Sequence, residues 1–316
     1  MSRVLFVTDP HGADAVLEKS FRAIREYEVS LYILAGDLSA KDIRPIVRVG
    51  DGRYLADRGG RHVELAESDV GEIERLFSST GHYHFRCSPD ELEDLKANED
   101  RVVRLIDEKT LEKLAYWADQ ILASVDFRKT RVLMTPGNDD LRDVDDLLRQ
   151  LEDRGIHSHI NQPVSIGANE VVSLDYSNPT PWHTPREVTE SELSDKIEEL
   201  VQRLARPDNA IFNFHCPPRR TKLDLAPELD GNLKPVVGLG AIRSVHVGSS
   251  AVRTAIERHQ PVLGLHGHIH ESPGEETIGR TVCLNPGSEY FDGTMHAYII
   301  ELSNDGNVAS YHRIQR

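Results

Sequence analysis

Five apolar runs in this sequence each end in a side chain able to hold a metal ion. VLFVT ends at Asp9 with His11 just beyond, LYILAG at Asp37, VLMTPG at Asn138, AIFNF at His215, and VLGLHG at His268 with His270 beyond. A single Asp after a strand is ordinarily a turn or helix cap, and a single His a packed or surface group. Five coincident endings carrying two Asp, one Asn and four His are hard to produce by turn chemistry. In open parallel α/β sheets ligands bind at the carboxyl ends of strands, so neighbouring strands would gather these groups into one cleft. Oxygen and imidazole donors without a thiolate suit Mn, Fe, Zn, Co or Ni, with Mn or Fe favoured. Seven ligands are too many for one ion with open positions, and they suit two divalent ions that share a carboxylate. Two ions about 3.5–4 Å apart can bind a phosphoryl group, generate hydroxide at neutral pH and stabilise an in-line transition state.

The elements that must position these groups alternate along the chain. RVLFVTD, SLYILAGD, TRVLMTPGN, NAIFNFH and PVLGLHGH read as buried strands. Amphipathic stretches at Asp14–Tyr27, Asp90–Val125, Asp143–Arg154, Ser191–Arg206 and Ser250–Gln260 read as helices. This alternation predicts an α/β protein with a largely parallel core. The helix near Ser191 has two capping-box starts, Thr184 with Glu187 and Thr189 with Glu192. The C-terminal runs GRTVCLNPGS, HAYIIELSNDG and NVASYHRI read as strands of an antiparallel edge or a second sheet. Residues 44–118 break the rhythm with Gly-Asp-Gly and Gly-Gly turns that suggest hairpins, followed by a long polar helix. They are taken as an inserted hairpin and helix cap within a single domain spanning 1–316.

The 316 residues include 39% hydrophobic and 28% charged residues, an ordinary globular composition. No apolar run approaches the ~20 residues that span a bilayer, and the N-terminus lacks signal-peptide features. A cytoplasmic location without membrane association is expected. Cys87, Cys216 and Cys283 form no CxxC pair, which disfavours a disulfide framework or a structural zinc. The formal net charge of −15 disfavours nucleic acid and is easier to reconcile with a small phosphorylated substrate drawn in by metal ions. Homo-oligomerisation is left open.

The chain resembles the calcineurin-like metallophosphoesterase superfamily, whose blocks are DxH, GD, GNH with a following acid, a lone His, and GHxH. Here they read Asp9-Pro10-His11, Gly36-Asp37, Gly137-Asn138-Asp139-Asp140, His215 and Gly267-His268-Ile269-His270. The resemblance implies a four-layer αββα sandwich, two mixed β-sheets flanked by helices. It implies one metal on Asp9, His11 and His270, a second on Asn138, His215 and His268, and Asp37 bridging them. The activity implied is phosphoester hydrolysis, taken as that of a phosphodiesterase on a small ester. Two alternatives stand beside it: a catalytically weak metal-binding scaffold for a protein partner, and a nuclease. A scaffold should show eroded ligands, whereas all seven are present.

One departure matters. The family's His after the Asn is here Asp139. A carboxylate among cations should be ionised; it could not donate a proton, and it would repel phosphate. Three readings stay open: a good leaving group, a substitute among His246 and His296, or Asp139 orienting water. Arg219 or Arg220, on the loop after His215, could grip a phosphate. Ser249, in Gly248-Ser249-Ser250, could bind an anion at a helix start or simply cap it. His266 reads as a packed histidine or one that orients a ligand. His82 and His84 share a strand face and read as solvated rather than chelating. Cys216 reads as a small buried hydrophobe. The loop Asp175–Trp182 is expected to wall the cleft, and Asn285-Pro286-Gly287-Ser288 to turn after an edge strand.

Overall fold

The structure is a computed structural model that describes residues 1–158, 162–238 and 240–316. Two six-stranded sheets face each other. In the first, the strands run in the order Val308–Gln315, His296–Leu302, Ser2–Thr8, Leu31–Ala35, Arg131–Thr135 and Ile156–His157. In the second they run Gly274–Ile278, Thr281–Asn285, Leu263–Leu265, Ile211–Phe214, Asn169–Leu174 and Val164–Ile166. The central strands of both are parallel; antiparallel strands close both edges of the second sheet and one edge of the first, whose other edge, Ile156–His157, is parallel.

The buried runs become central strands because both of their faces are covered. Val4, Phe6, Leu31, Ile33 and Leu133 of the first sheet meet Val171, Ile211, Leu263, Leu265 and Leu284 of the second. Helices α1 (Asp14–Glu26), α4 (Glu99–Ser124) and α5 (Val144–Glu152) cover the outer face of the first sheet. Helices α6 (Glu190–Val201) and α7 (Ser250–His259) cover the outer face of the second. The result is the four-layer αββα sandwich. No helix among the described residues is long and apolar enough to cross a membrane.

Residues 42–87 build a separate four-stranded sheet from His62–Ala66, Arg53–Asp57, Asp42–Gly50 and His82–Cys87, turned at Asp51–Gly52 and Gly59–Gly60. Helix α2 (Glu67–Ser79) packs on it through Val70, Ile73 and Phe77. The expected cap helix Asp90–Val125 is two helices, α3 (Pro89–Ala97) and α4. Asn98 leaves the helical region at φ −137°, ψ 89°, and it both ends α3 and starts α4. Asn competes for its own backbone and favours such breaks. Residue 118, the expected end of the insertion, falls inside α4, whose Leu114, Trp117, Ala118 and Ile121 belong to the main core.

Of the two capping boxes before α6, the one at Thr189 and Glu192 starts the helix. The other is not a helix start. Glu187 instead accepts from the backbone and hydroxyl of both Thr180 and Thr184, which closes a loop over Asn138.

Candidate metal centre

The seven residues meet where the carboxyl ends of both sheets converge. Asp9, His11, Asp37 and Asn138 come from loops of the first sheet, and His215, His268 and His270 from loops of the second. The five strands therefore do not line one sheet edge, and the cleft straddles the sandwich.

Asp9, His11, Asp37 and His270 form one group whose ligand atoms lie within 4.8 Å of one another; Asp37, His215 and His268 form another. Asp37 belongs to both. His11 Nε2 is 3.2 Å from His270 Nε2 and 3.7 Å from Asp37 Oδ2. His215 Nε2 is 3.3 Å from Asp37 Oδ1, 3.8 Å from Asp9 Oδ1 and 2.9 Å from Asn138 Oδ1. Ligand atoms held about 2.1 Å from a common ion stand about 3 Å apart, so the His11–His270, His215–Asp37 and His215–Asn138 separations fit shared ions. The tautomer fits too. His11 Nδ1 donates to the Ser39 carbonyl at 3.1 Å, which leaves the Nε2 lone pair facing the cluster.

The backbone is bent to achieve this. Asp9, His11, Asp37 and His268 adopt φ of 52°, 41°, 38° and 67°, left-handed values that cost non-glycine residues about 1–3 kcal/mol each. Such strain persists only where surroundings over-determine it. Here Asp140, wholly buried, ties two ligand loops together. It accepts from Leu38 N at 2.9 Å, Ser39 N at 2.7 Å, the Ser39 hydroxyl, and Gly137 N at 2.8 Å. Asp9 accepts from His268 N at 3.1 Å and from the Thr8 hydroxyl at 3.0 Å. The Asn285–Ser288 turn contributes as well, since Ser288 Oγ donates to the Asp9 carbonyl at 2.7 Å. A Cβ on Gly137 would lie 2.4 Å from Asp37 Oδ1, and one on Gly267 would lie 2.3 Å from Asp9 Oδ2. The glycines of these blocks are thus required by close approach.

Among the protein groups alone, the charges polarise strongly. Burial raises Asp9, but the His270 hydrogen bond and the His215 charge overcome it and lower the carboxyl to about 2. Burial opposes the His215 charge, yet Asp37 and Asp9 hold the imidazole up to about 9. Burial, with Lys41 nearby, keeps His11 well below its ordinary value.

The protein groups around Asp139 pull on it in both directions. Burial and the Asp37 charge push it up to about 6, against the pull of Lys41. Its backbone N donates to Asp37 Oδ1 at 2.9 Å, and Lys41 Nζ lies 3.0 Å from its Oδ2. Lys41 and Tyr290 are site residues that sequence reasoning misses. The Tyr290 ring packs on His11 with centroids 4.6 Å apart. Nothing in the spacing flags either; only the folded contact of residue 41 with residue 139 does so. Thr184 is a third, and it accepts from Asn138 Nδ2 at 2.8 Å.

The remaining expectations divide. Ser249 is not open to an anion: it is fully buried, and Glu190 takes the donors of its helix start, the Ser249 hydroxyl and the N–H groups of Ser250 and Ala251. Arg219 and Arg220 are exposed on the loop leaving the His215 strand. His296 cannot act as a free acid, because both ring nitrogens are engaged by Glu289 and Arg313. His246 is half-exposed, and its Nδ1 bonds buried Asp224 at 2.8 Å. His266 is packed, with Nδ1 on the Phe214 carbonyl at 2.8 Å. His82 and His84 are half-buried. They engage Asp42 and Ser78 respectively and line a cavity of about 660 Å³ between the cap and the main core. Cys216 is buried, and burial pushes its thiol up to about 12.

A protein of Methanocaldococcus jannaschii, named only as uncharacterized protein MJ1162, is 31% identical over 186 residues, covering 58% of this chain and 72% of its own. The crystal structure of TT1561 from Thermus thermophilus superposes with a TM-score of 0.50 at 13% identity, covering 99% of this chain and 98% of that one. A further crystal structure superposes with a TM-score of 0.57 at 16% identity over the same shares. These structures share the fold. Residues 2–272 match the sequence profile described as calcineurin-like phosphoesterase, which encloses every strand ending that supplies the cleft, and the chain belongs to that family.

Proposed function

We propose that this protein is a dinuclear metal-dependent phosphodiesterase acting on a small phosphoester. The observation that carries the reading is Asp37, the carboxylate common to both ligand clusters. In this reading Asp9, His11 and His270 hold one ion, Asn138, His215 and His268 the other, and Asp37 bridges them. The oxygen and imidazole donors suit Mn, Fe, Zn, Co or Ni, and the proposal takes Mn or Fe among them. Bound there, two divalent ions supply Lewis-acid charge to a phosphoryl group and a nucleophile at neutral pH.

The chain's own groups do the positioning. The Ser39 carbonyl fixes the His11 tautomer, Asp140 locks the loops of Asp37 and Asn138 to each other, and Thr184 orients the Asn138 amide. In this reading Arg219 and Arg220, exposed on the loop that leaves the His215 strand, meet the ester. Three free cysteines, all buried, fit a reducing cytoplasm.

The test is elemental analysis of the purified chain with a chromogenic phosphodiester assay over Mn, Fe, Co, Ni and Zn. About two ions per chain and turnover with at least one metal are expected. Full occupancy without turnover on any metal would instead favour the scaffold reading.

A further inference from the structure

A metal cluster binds a phosphoryl group from one side, and the rest of an anionic substrate still needs a donor. Arg219 and Arg220 lie on an exposed loop, and other cations of the ligand-bearing half are tied to carboxylates. Arg186 is buried against Asp175 and Asp145, and Lys113 pairs with Asp14. Lys41 differs. Its side chain is 47% exposed, and its ammonium lies 3.0 Å from Asp139 Oδ2. Asp139 is held on its other side by the Asn138 amide at 3.0 Å, and its backbone N donates to Asp37 at 2.9 Å. The ammonium thus stands one residue from the carboxylate that both clusters share, on a side chain still open to solvent.

The chemistry of the pair resolves the difficulty that Asp139 poses. Alone, a carboxylate at this position repels phosphate. Paired with Lys41 it makes a locally neutral unit. An ammonium has three donors, and Asp139 occupies one of them, which leaves N–H groups for an incoming anion. The carboxylate also cuts the rotamer freedom that a long side chain must otherwise lose on binding.

We infer that Lys41 anchors the substrate by donating to a phosphoryl oxygen, and that Asp139 is the residue that positions it. The inference rests on the phosphoester reading of the site and names the residue that recognises the ester beyond the metals.

The test is titration of inorganic phosphate into the full chain loaded with Mn²⁺, with metal content and the KM and kcat for bis(4-nitrophenyl) phosphate measured alongside. Lys41→Gln should weaken phosphate about 10- to 100-fold, the range of a hydrogen bond to a charged group, while about two Mn²⁺ remain bound. Lys41→Arg should restore most of the affinity. Asp139→Asn should weaken phosphate less than Lys41→Gln does, because the ammonium remains but is no longer held by a charge. Unchanged phosphate affinity in Lys41→Gln overturns the inference, and so does loss of Mn²⁺ from that variant, or a wild-type protein that takes up Mn²⁺ but no phosphate. Phosphate binding that depends on Lys41 without any ester cleavage supports the inference and overturns the hydrolase reading. Cleavage with KM unchanged in Lys41→Gln does the reverse.

Discussion

At the residue scale, the cleft depends on groups that share work rather than on any single ligand. Asp37 faces His11 on one side and His215 on the other, at 3.7 and 3.3 Å. Asp37→Ala should therefore empty both sites, taking metal content from about two ions per chain toward none. Asp139→Ala should keep both ions, since its carboxylate faces Lys41. Elemental analysis of the two variants decides, and an empty Asp139→Ala protein would contradict the assignment of roles. A subtler case is Gly137→Ala, which removes no ligand. Its Cβ would press on Asp37 Oδ1 at 2.4 Å and on His215 Nε2 at 2.8 Å. Overpacking of this kind costs about 1–3 kcal/mol, and here the shift falls on two ligands, so metal content should drop although every donor survives. Full occupancy in Gly137→Ala would refute this. The ligands are legible in the sequence because each closes a strand, so their types and local context coincide in one short segment. Lys41 is not legible, because its meaning comes from a contact across 98 positions, between residues 41 and 139.

At the element scale, the loop between Asp175 and α6 supports the cleft from behind. Arg186 is 1% exposed; it donates to the Asp140 and Leu141 carbonyls and pairs with Asp175 and Asp145, while its backbone N donates to the Asn138 carbonyl. Removing one partner of a buried pair leaves an uncompensated charge, so Arg186→Met should cost about 3–5 kcal/mol in urea unfolding. A loss under about 1 kcal/mol would show that the pair is not structurally coupled to the loop. Glu187 adds a pH dependence. Its hydrogen bonds to Thr180 and Thr184 overcome burial and hold its carboxyl below the ordinary value of 4.5. A depressed folded value means that its stabilisation is complete above about 4.5 and is lost as pH falls through the folded value. The emission of exposed Trp182, taken as a difference from Trp182→Phe, should change in that window. Glu187→Gln should show the changed emission already at neutral pH, and an unaltered spectrum would separate Glu187 from loop order. Sequence reading finds both capping boxes but cannot rank them, because the same Thr-x-x-Glu spacing serves a helix start at Thr189 and a closed loop at Thr184. The break at Asn98 is hidden because no glycine or proline marks it and the polar run around it suits an exposed helix as well as a break.

At the scale of the whole molecule, the division of strands between two sheets is the feature that sequence pattern alone does not reveal. A parallel strand buried on both faces reads as the same apolar run in either sheet. The family resemblance supplies the sandwich, and the packing of Phe6 and Ile33 against Leu263 and Leu265 then explains how ligands from two sheets reach one cleft. Charge is the other whole-molecule property, and it separates the small-ester reading from the nuclease one. A net charge of −15 opposes approach of a polyanion, and the loop after His215 sets only Arg219, Arg220 and Lys222 against it. A protein that binds nucleic acid through its backbone releases counterions, so its affinity falls steeply as salt rises. This protein should behave in the opposite sense. Binding to a single-stranded 20-mer in the presence of Mn²⁺ should be weaker than about 100 µM at low salt and should not weaken further as salt screens the repulsion. Cleavage of bis(4-nitrophenyl) phosphate should change little over the same range, because a small monoanion feels the metal site more than the distant surface. Fluorescence anisotropy of a labelled oligonucleotide, run beside the chromogenic assay, separates the two. Binding tighter than about 1 µM that falls with a steep salt slope would move the assignment to a nuclease, and the cationic path would then have to run through Arg219 and Arg220.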